Sequence, residues 1–182
     1  MPDSALVDSI LVLPFGDFPE AVSYFVAGKV EERFGRAAHV LEPVALPEET
    51  FVPARSQYSS TLLLRYILAR IPKTESSVIG LTDVDLCTPV LAFVFGQAQL
   101  GGRAAVVSTH RLHQEYYGLP HNDAVLLERL GKEVVHELGH TCGMVHCQER
   151  RCVMYFSNSI REVDAKQDTF CPPCARLASA TL

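Results

Sequence analysis

Eleven consecutive residues, His136-Glu137-Leu138-Gly139-His140-Thr141-Cys142-Gly143-Met144-Val145-His146, combine side chains that can hold a metal ion and use it. His136 and His140 are four positions apart, about 400° of helix, so both project from one face with a rise of about 6 Å between them. Each can reach a shared ion at about 2.1 Å from its nitrogen. Glu137 points roughly 100° from His136 and 60° from His140. That direction is poor for a third ligand but suits a general base acting on a water at the ion. Gly143 can adopt the left-handed conformation that ends a helix and turns the chain, after which His146 can return as a third nitrogen. Three neutral imidazoles leave Zn²⁺ its charge and an open position, the arrangement of a catalytic site. Two histidines around a glutamate occur on many ordinary helices. Gly143 and His146 at these offsets separate this chain from those.

The six cysteines are Cys87, Cys142, Cys147, Cys152, Cys171 and Cys174. Four of them form two short pairs, Cys147-x4-Cys152 and Cys171-Pro-Pro-Cys174. Chelating pairs separated by a loop point to a tetrahedral Cys₄ zinc site, saturated by protein and therefore structural. A thioredoxin-type redox pair at Cys171 and Cys174 is the competing reading, but it lacks the preceding strand such a unit needs. His146 and Cys147 are neighbours assigned to different ions, and Met154 lies two residues after Cys152. The structural zinc is therefore expected to fix the backbone that delivers His146. The expected cofactor content is two Zn²⁺ per chain.

The elements around these motifs read as one mixed sheet with helices. Ser9–Phe15 is a buried strand. Asp17 and Pro19 open a helix with Val22, Phe25, Val26 and Val30 at helical spacing, ending near Gly35. Residues 39–46 form a strand that Pro43 places near an edge. A helix runs from about Ser59 to Ile71 and stops at Pro72. Strand-like runs follow at 77–82, 91–96 and 104–108, with the sheet edge assigned to 104–108. Asn122 caps a helix reaching about Cys142, on which Leu127, Leu130, Val134, Leu138 and Thr141 share an arc of roughly 80°. Beyond Gly143 the chain turns Cys- and Arg-rich, with one short helix expected after Pro172 and Pro173. The expected division is an upper part, 1–143, and a small lower part, 144–182, whose core is thin without a metal staple.

Composition limits the alternatives. At 182 residues the chain is one domain or a domain with a small appendix. Its 48% hydrophobic content excludes disorder, and a net charge of −5 argues against a nucleic-acid or anionic membrane surface. No apolar run is long enough to span a bilayer. Asp3 and Asp8, with no Lys or Arg before Lys29, do not make a signal-peptide n-region. A monomer in the cytoplasm is the expectation, and reducing cytosol favours metal-bound cysteines over disulfides.

The run His136–His146, followed by Cys147, Cys152, Met154, Cys171 and Cys174, resembles the archaemetzincins of the metzincin clan of zinc peptidases. Residues 80–86 (GLTDVDL) and 105–112 (AVVSTHRL) are similar to that family too. The resemblance implies an α/β (α+β) metzincin-like fold: a twisted mixed sheet with one antiparallel edge strand, a backing helix and an active-site helix. It implies His136, His140 and His146 as catalytic-zinc ligands, Glu137 as general base and Met154 as the methionine turn. It implies Cys147, Cys152, Cys171 and Cys174 as ligands of the second zinc. One departure is Phe156, where some metzincins place a tyrosine; Tyr155 stands one residue early.

The expected activity is zinc-dependent hydrolysis of peptide bonds in peptide or protein substrates, aminopeptidase and endopeptidase modes both being open. The rival is a zinc-containing peptide-binding module without turnover. Asp83 and Asp85 read as turn residues rather than calcium ligands. His110 and His113 read as rim residues, Tyr116 and Tyr117 as cleft or packing residues, and Cys142 as a small buried side chain.

Overall fold

A computed structural model describes residues 9–70 and 76–181. The main sheet has the order β2-β1-β5-β8-β7. Its strands are β1 (Ile10–Pro14), β2 (Ala38–Val40), β5 (Ser77–Thr82), β7 (Gly96–Ala98) and β8 (Ala104–Ser108). All pairings are parallel except β7 with β8. A small second sheet joins β3 (Phe51–Val52), β4 (Gln57–Ser59) and β6 (Leu86–Cys87). These strands are too short for a periodicity to announce them.

Parallel strands need cover on both faces, and alternation in β1 supplies it. Ile10 and Val12 join a core with α1 (Glu20–Phe34) and α3 (Asp123–Thr141), through Val26, Val30, Leu130, Val134 and Leu138. Leu11 and Leu13 join the opposite core with α2 (Ser60–Arg70), through Leu63, Leu64 and Ile67. Each such fully buried aliphatic side chain is worth roughly 1.5–3 kcal/mol relative to an exposed one. Gly35, at φ 65°, ends α1 where expected. The expected stop of α2 at Pro72 lies outside the described residues.

Three strand assignments are corrected. Residues 104–108 are not the edge: β8 is buried at every position and paired on both sides. The antiparallel edge strand is β7, and residues 91–95 before it are not a ladder strand. Only Val94 and Phe95 meet neighbouring strands, Val94 bridging Leu86 and Phe95 accepting from the Ser108 N–H at 2.8 Å, and the carbonyls before them are satisfied differently. The Arg55 guanidinium donates to the carbonyls of Thr88, Leu91 and Ala92, each at 2.8 Å, so a side chain holds this loop in place of a neighbouring strand. Residues 39–46 shrink to the three-residue edge strand β2 with an isolated bridge at Val44, as Pro43 requires.

The C-terminal segment contains two helices, α4 (Ile160–Ala165) and α5 (Pro172–Thr181), where one was expected. α4 opens with a capping box in which Ser159 and Glu162 satisfy each other's backbone N–H groups, a Ser-x-x-Glu signal present in the sequence. Cys152, Val153, Met154 and Val163 are buried in the core they share with α1 and α3. The thin core expected after Gly143 is thus completed by packing on α3.

Candidate metal centres and cleft

The site is built on α3. Asn122 accepts the Val125 N–H at 3.2 Å and starts the helix. At the other end Gly143, at φ 81°, donates to the His140 carbonyl at 2.9 Å, and Met144 donates to Gly139 at 3.1 Å. This pair of bonds is a Schellman cap, which reverses the chain after one turn. It brings His146 back over His136 and His140, with ring centroids 4.7–5.3 Å apart among the three.

The protons on two of these rings follow from their partners. His136 Nδ1 lies 2.8 Å from the Val153 carbonyl and His140 Nδ1 lies 2.7 Å from the Met144 carbonyl. A carbonyl can only accept, so each Nδ1 carries a hydrogen. Burial pushes the pKa of His136 well down and that of His140 and His146 down, which favours neutral rings. In neutral rings with Nδ1 protonated, Nε2 of His136 and of His140 bears a lone pair, and these two atoms face each other at 3.1 Å. Facing lone pairs repel unless a cation lies between them. Two nitrogens at about 2.1 Å from one tetrahedral zinc would stand roughly 3.4 Å apart, so the donor set fits that ion. One nitrogen from each of the three rings falls in a single cluster within 4.8 Å.

Glu137 is 5% exposed. Burial pushes its carboxyl well above the usual carboxylate range, Glu133 adds to the push, and Lys166 opposes it. It is held against the edge strand: a Cβ built on Gly96 would lie 2.7 Å from Glu137 Cγ and 2.8 Å from Oε1. β7 is itself pinned through Gln97, whose Oε1 accepts from Ser60 at 2.7 Å and Thr61 at 3.2 Å. Between β7 and the imidazoles opens a cleft of about 620 Å³. Residues 88–95 form one wall, and Phe156, Ser157 and Asn158 form part of the other. Phe93 and Phe95 meet edge-on at 5.4 Å within the first wall.

The four cysteines of the two pairs also converge, with every Sγ within 4.8 Å of the others. Cys147 and Cys171 are 3.7 Å apart, close to the edge of about 3.8 Å expected for a tetrahedron with Zn–S near 2.3 Å. Backbone N–H groups of Glu149 and Cys171 donate to Cys147 and Cys152, each at 3.4 Å. Burial pushes Cys152 and Cys174 up, whereas at Cys171 hydrogen bonds from Cys174 and the other thiols outweigh burial and hold it down. The Cys147 N–H donates to the Met154 carbonyl at 2.9 Å, which joins the two clusters through the backbone.

Met154 is fully buried under α3, where a Cβ on Gly139 would strike its sulfur. Phe156 lies against His146, centroids 4.7 Å apart, and offers no hydroxyl to the cleft. Away from the cleft, Asp85 is a bidentate partner of Arg111 at 2.6 and 2.7 Å and accepts from Gln57, a structural role in keeping with a turn residue. His110 caps the Asp83 carbonyl at 3.2 Å, and Tyr116 and Tyr117 are exposed outside the cleft lining. Cys142 is half-buried rather than buried. Sequence reasoning missed Gly96, Lys166 and Glu133. Only Glu133 carried a signal, being one helical turn before Glu137.

A covered mixed sheet with an antiparallel edge strand, facing three imidazoles on a helix and its return turn, defines a zinc metalloprotease. The model of Peptidase family M54 matches residues 69–179, and the chain belongs to that family. It is 40% identical to the archaemetzincin of Methanocaldococcus jannaschii over 94% of this chain and 93% of that one. It is 41% identical to that of Thermococcus kodakarensis, covering 92% and 93% respectively. The crystal structure of archaemetzincin from Methanopyrus kandleri superposes with a TM-score of 0.82 at 37% identity, covering 99% of this chain and 97% of that one. The archaemetzincin of Archaeoglobus fulgidus, complexed with malonate, gives 0.81 at 33% identity, covering 93% and 99%. The resemblance read from the motifs is therefore a family membership.

Proposed function

We propose that this metalloprotease hydrolyses peptide bonds in the cleft between β7 and α3. His136, His140 and His146 would hold a catalytic zinc, and Cys147, Cys152, Cys171 and Cys174 a second, structural one. The carrying observation is the pair of bare Nε2 atoms facing each other at 3.1 Å. Zinc bound there supplies a Lewis acid that acidifies water and polarises a carbonyl. Glu137 takes the proton of the attacking water and returns it to the leaving amine. A carboxyl that burial has pushed upward is the stronger base once ionised. The Val153 and Met144 carbonyls keep two rings in the required tautomer. Met154 forms the methionine turn beneath the three rings.

Substrate lies extended along the open edge of β7, pairing by backbone hydrogen bonds. The residues facing it, among them Val90, Leu91, Phe93 and Phe156, favour apolar side chains near the cut. Besides Glu137, the one acidic residue described in the lining is Glu133, and it is tied to Lys166. Among the described residues the cleft thus provides no free carboxylate to grip an amino terminus, which favours cuts inside a chain. The protein acts as a monomer in the cytoplasm, where its cysteines remain thiols for metal, and residues 144–182 form a lower part stapled by the second zinc. The test is a proteome-derived peptide library digested by the parent and by Glu137→Ala, with cuts mapped by mass spectrometry and zinc counted per chain. Internal cuts by the parent alone, with two zinc in both proteins, are expected. A parent that binds zinc and cuts nothing would refute turnover, and cuts one residue from the amino end would refute the internal mode.

A further inference from the structure

The mechanism above makes no use of Lys166, the most deeply buried charged side chain among the described residues. Its side chain is 0% exposed and that of Glu133, its partner, is 4% exposed. Nζ and Oε1 are 2.8 Å apart, in ionic contact though not aligned as a hydrogen bond. Removing two charges from water costs several kcal/mol per ion, and an apolar pair of similar volume is often as stable or more so. The position of the pair indicates what it does instead.

Glu133 stands one turn before Glu137 on α3 and lines the cleft. Lys166 is the middle anchor of a stretch of chain whose alternate residues grip the two helices beneath it. Asp164 holds Arg129 of α3 at 2.7 and 2.8 Å, Lys166 holds Glu133, and Asp168 holds Lys29 and Arg33 of α1 at 3.0 and 2.7 Å. Between and beyond these anchors the backbone pairs with residues 151–153. Gln167 donates to the Arg151 carbonyl at 2.9 Å, and Val153 donates to the Thr169 carbonyl at 3.0 Å. Val153 then uses its own carbonyl to accept from His136 Nδ1.

We infer that Lys166 is a positioning residue for His136: its ion pair with Glu133 seats residues 166–169 on α3, and these hold the Val153 carbonyl on the imidazole. The inference rests on the proposed zinc site at the histidines. Without the anchor, Val153 is free to drift and the ring loses the bond that fixes its tautomer and tilt. Partners of this kind change metal affinity by about 10–100-fold when removed.

The experiment separates positioning from bulk stability. Lys166→Met alone leaves Glu133 buried and unpaired, so both the melting temperature and zinc affinity at the histidines should fall. The double variant Glu133→Leu/Lys166→Met removes both charges. Its melting temperature should return toward the parent value while zinc affinity, from chelator competition, stays about 10–100-fold weaker. The Nδ1–H signal of His136 in ¹⁵N-edited spectra of the zinc-loaded protein should broaden or vanish in the same variant. Recovered stability together with parental zinc affinity and an unchanged Nδ1–H signal would overturn the inference. Should the double variant fail to fold, Glu133→Gln replaces it: weakened affinity supports positioning and parental affinity overturns it. His136→Ala is run beside the parent. If that variant loses no zinc, the zinc reading itself has failed, a result distinct from failure of the Lys166 role.

Discussion

Gly96→Ala adds one methyl group on the edge strand, far from any proposed ligand in sequence, and should nevertheless cripple Glu137, the proposed base. The added carbon would sit 2.7 Å from Glu137 Cγ, 2.8 Å from Oε1 and 2.8 Å from the Val106 carbonyl oxygen. Non-bonded carbons settle at about 3.5–4.0 Å, so the carboxylate must retreat by about 1 Å or the strand must lift off β8. A displacement of about 1 Å in a catalytic group costs about 100-fold in rate, or roughly 2.7 kcal/mol. Overpacking costs a further 1–3 kcal/mol or so of stability. The assay is steady-state hydrolysis of a peptide identified from the library, with zinc counted and the melting temperature measured in parallel. Expected are a kcat lower by about 100-fold, KM changed far less, and the parental zinc content retained. A kcat within about threefold of the parent would show that Glu137 tolerates the methyl group and that its packing on Gly96 does not set its catalytic position.

Further outcomes follow from other contacts. Cys152→Ser removes one sulfur ligand from the cysteine cluster; because Cys147 pairs with Met154 and adjoins His146, metal analysis should show loss of the zinc proposed there and weakened occupancy of the one proposed at the histidines. Gly139→Ala sets a helix-propensity gain of about 1 kcal/mol against a collision with the Met154 sulfur. Since Met154 is fully buried and cannot swing away, the collision wins and denaturant melts should show a net loss of about 1–3 kcal/mol. At Asp168, burial raises the carboxyl pKa but hydrogen bonds from Arg33 and Lys29 outweigh it and hold it low. Its stabilisation is therefore present above the unfolded value near 3.9 and is lost as pH falls through the lower folded value. Melting temperatures of Asp168→Asn should accordingly approach those of the parent as the medium is acidified, and a gap that stays constant would refute the assignment.

The convergence of the histidines is legible in the chain because helical geometry relates residues four apart by local arithmetic, and Gly143 announces the reversal that returns His146. The strand Ile10–Pro14 and the helices α1, α2 and α3 are legible for the same reason, each being longer than one period of its pattern. β7 is not. Three residues, Gly-Gln-Ala, hold less than two periods, while the apolar run before them imitates a strand whose first carbonyls, of Leu91 and Ala92, in fact belong to Arg55. Lys166 and Glu133 meet only through the packing of α4 on α3, across a separation that no local rule spans. Gly96 is silent for another reason: its role is the space it leaves, and that space is defined by Glu137 from a different element.

Arg55 lies outside the main sheet, yet it fixes the course of residues 88–92 by backbone atoms alone. A rim anchored in this way can exchange Pro89, Val90 or Leu91 for other side chains while its trajectory persists. Substrate preference in such an enzyme can therefore diverge between lineages with the reaction centre unaltered, and the residue that makes this drift tolerable stands outside the cleft lining.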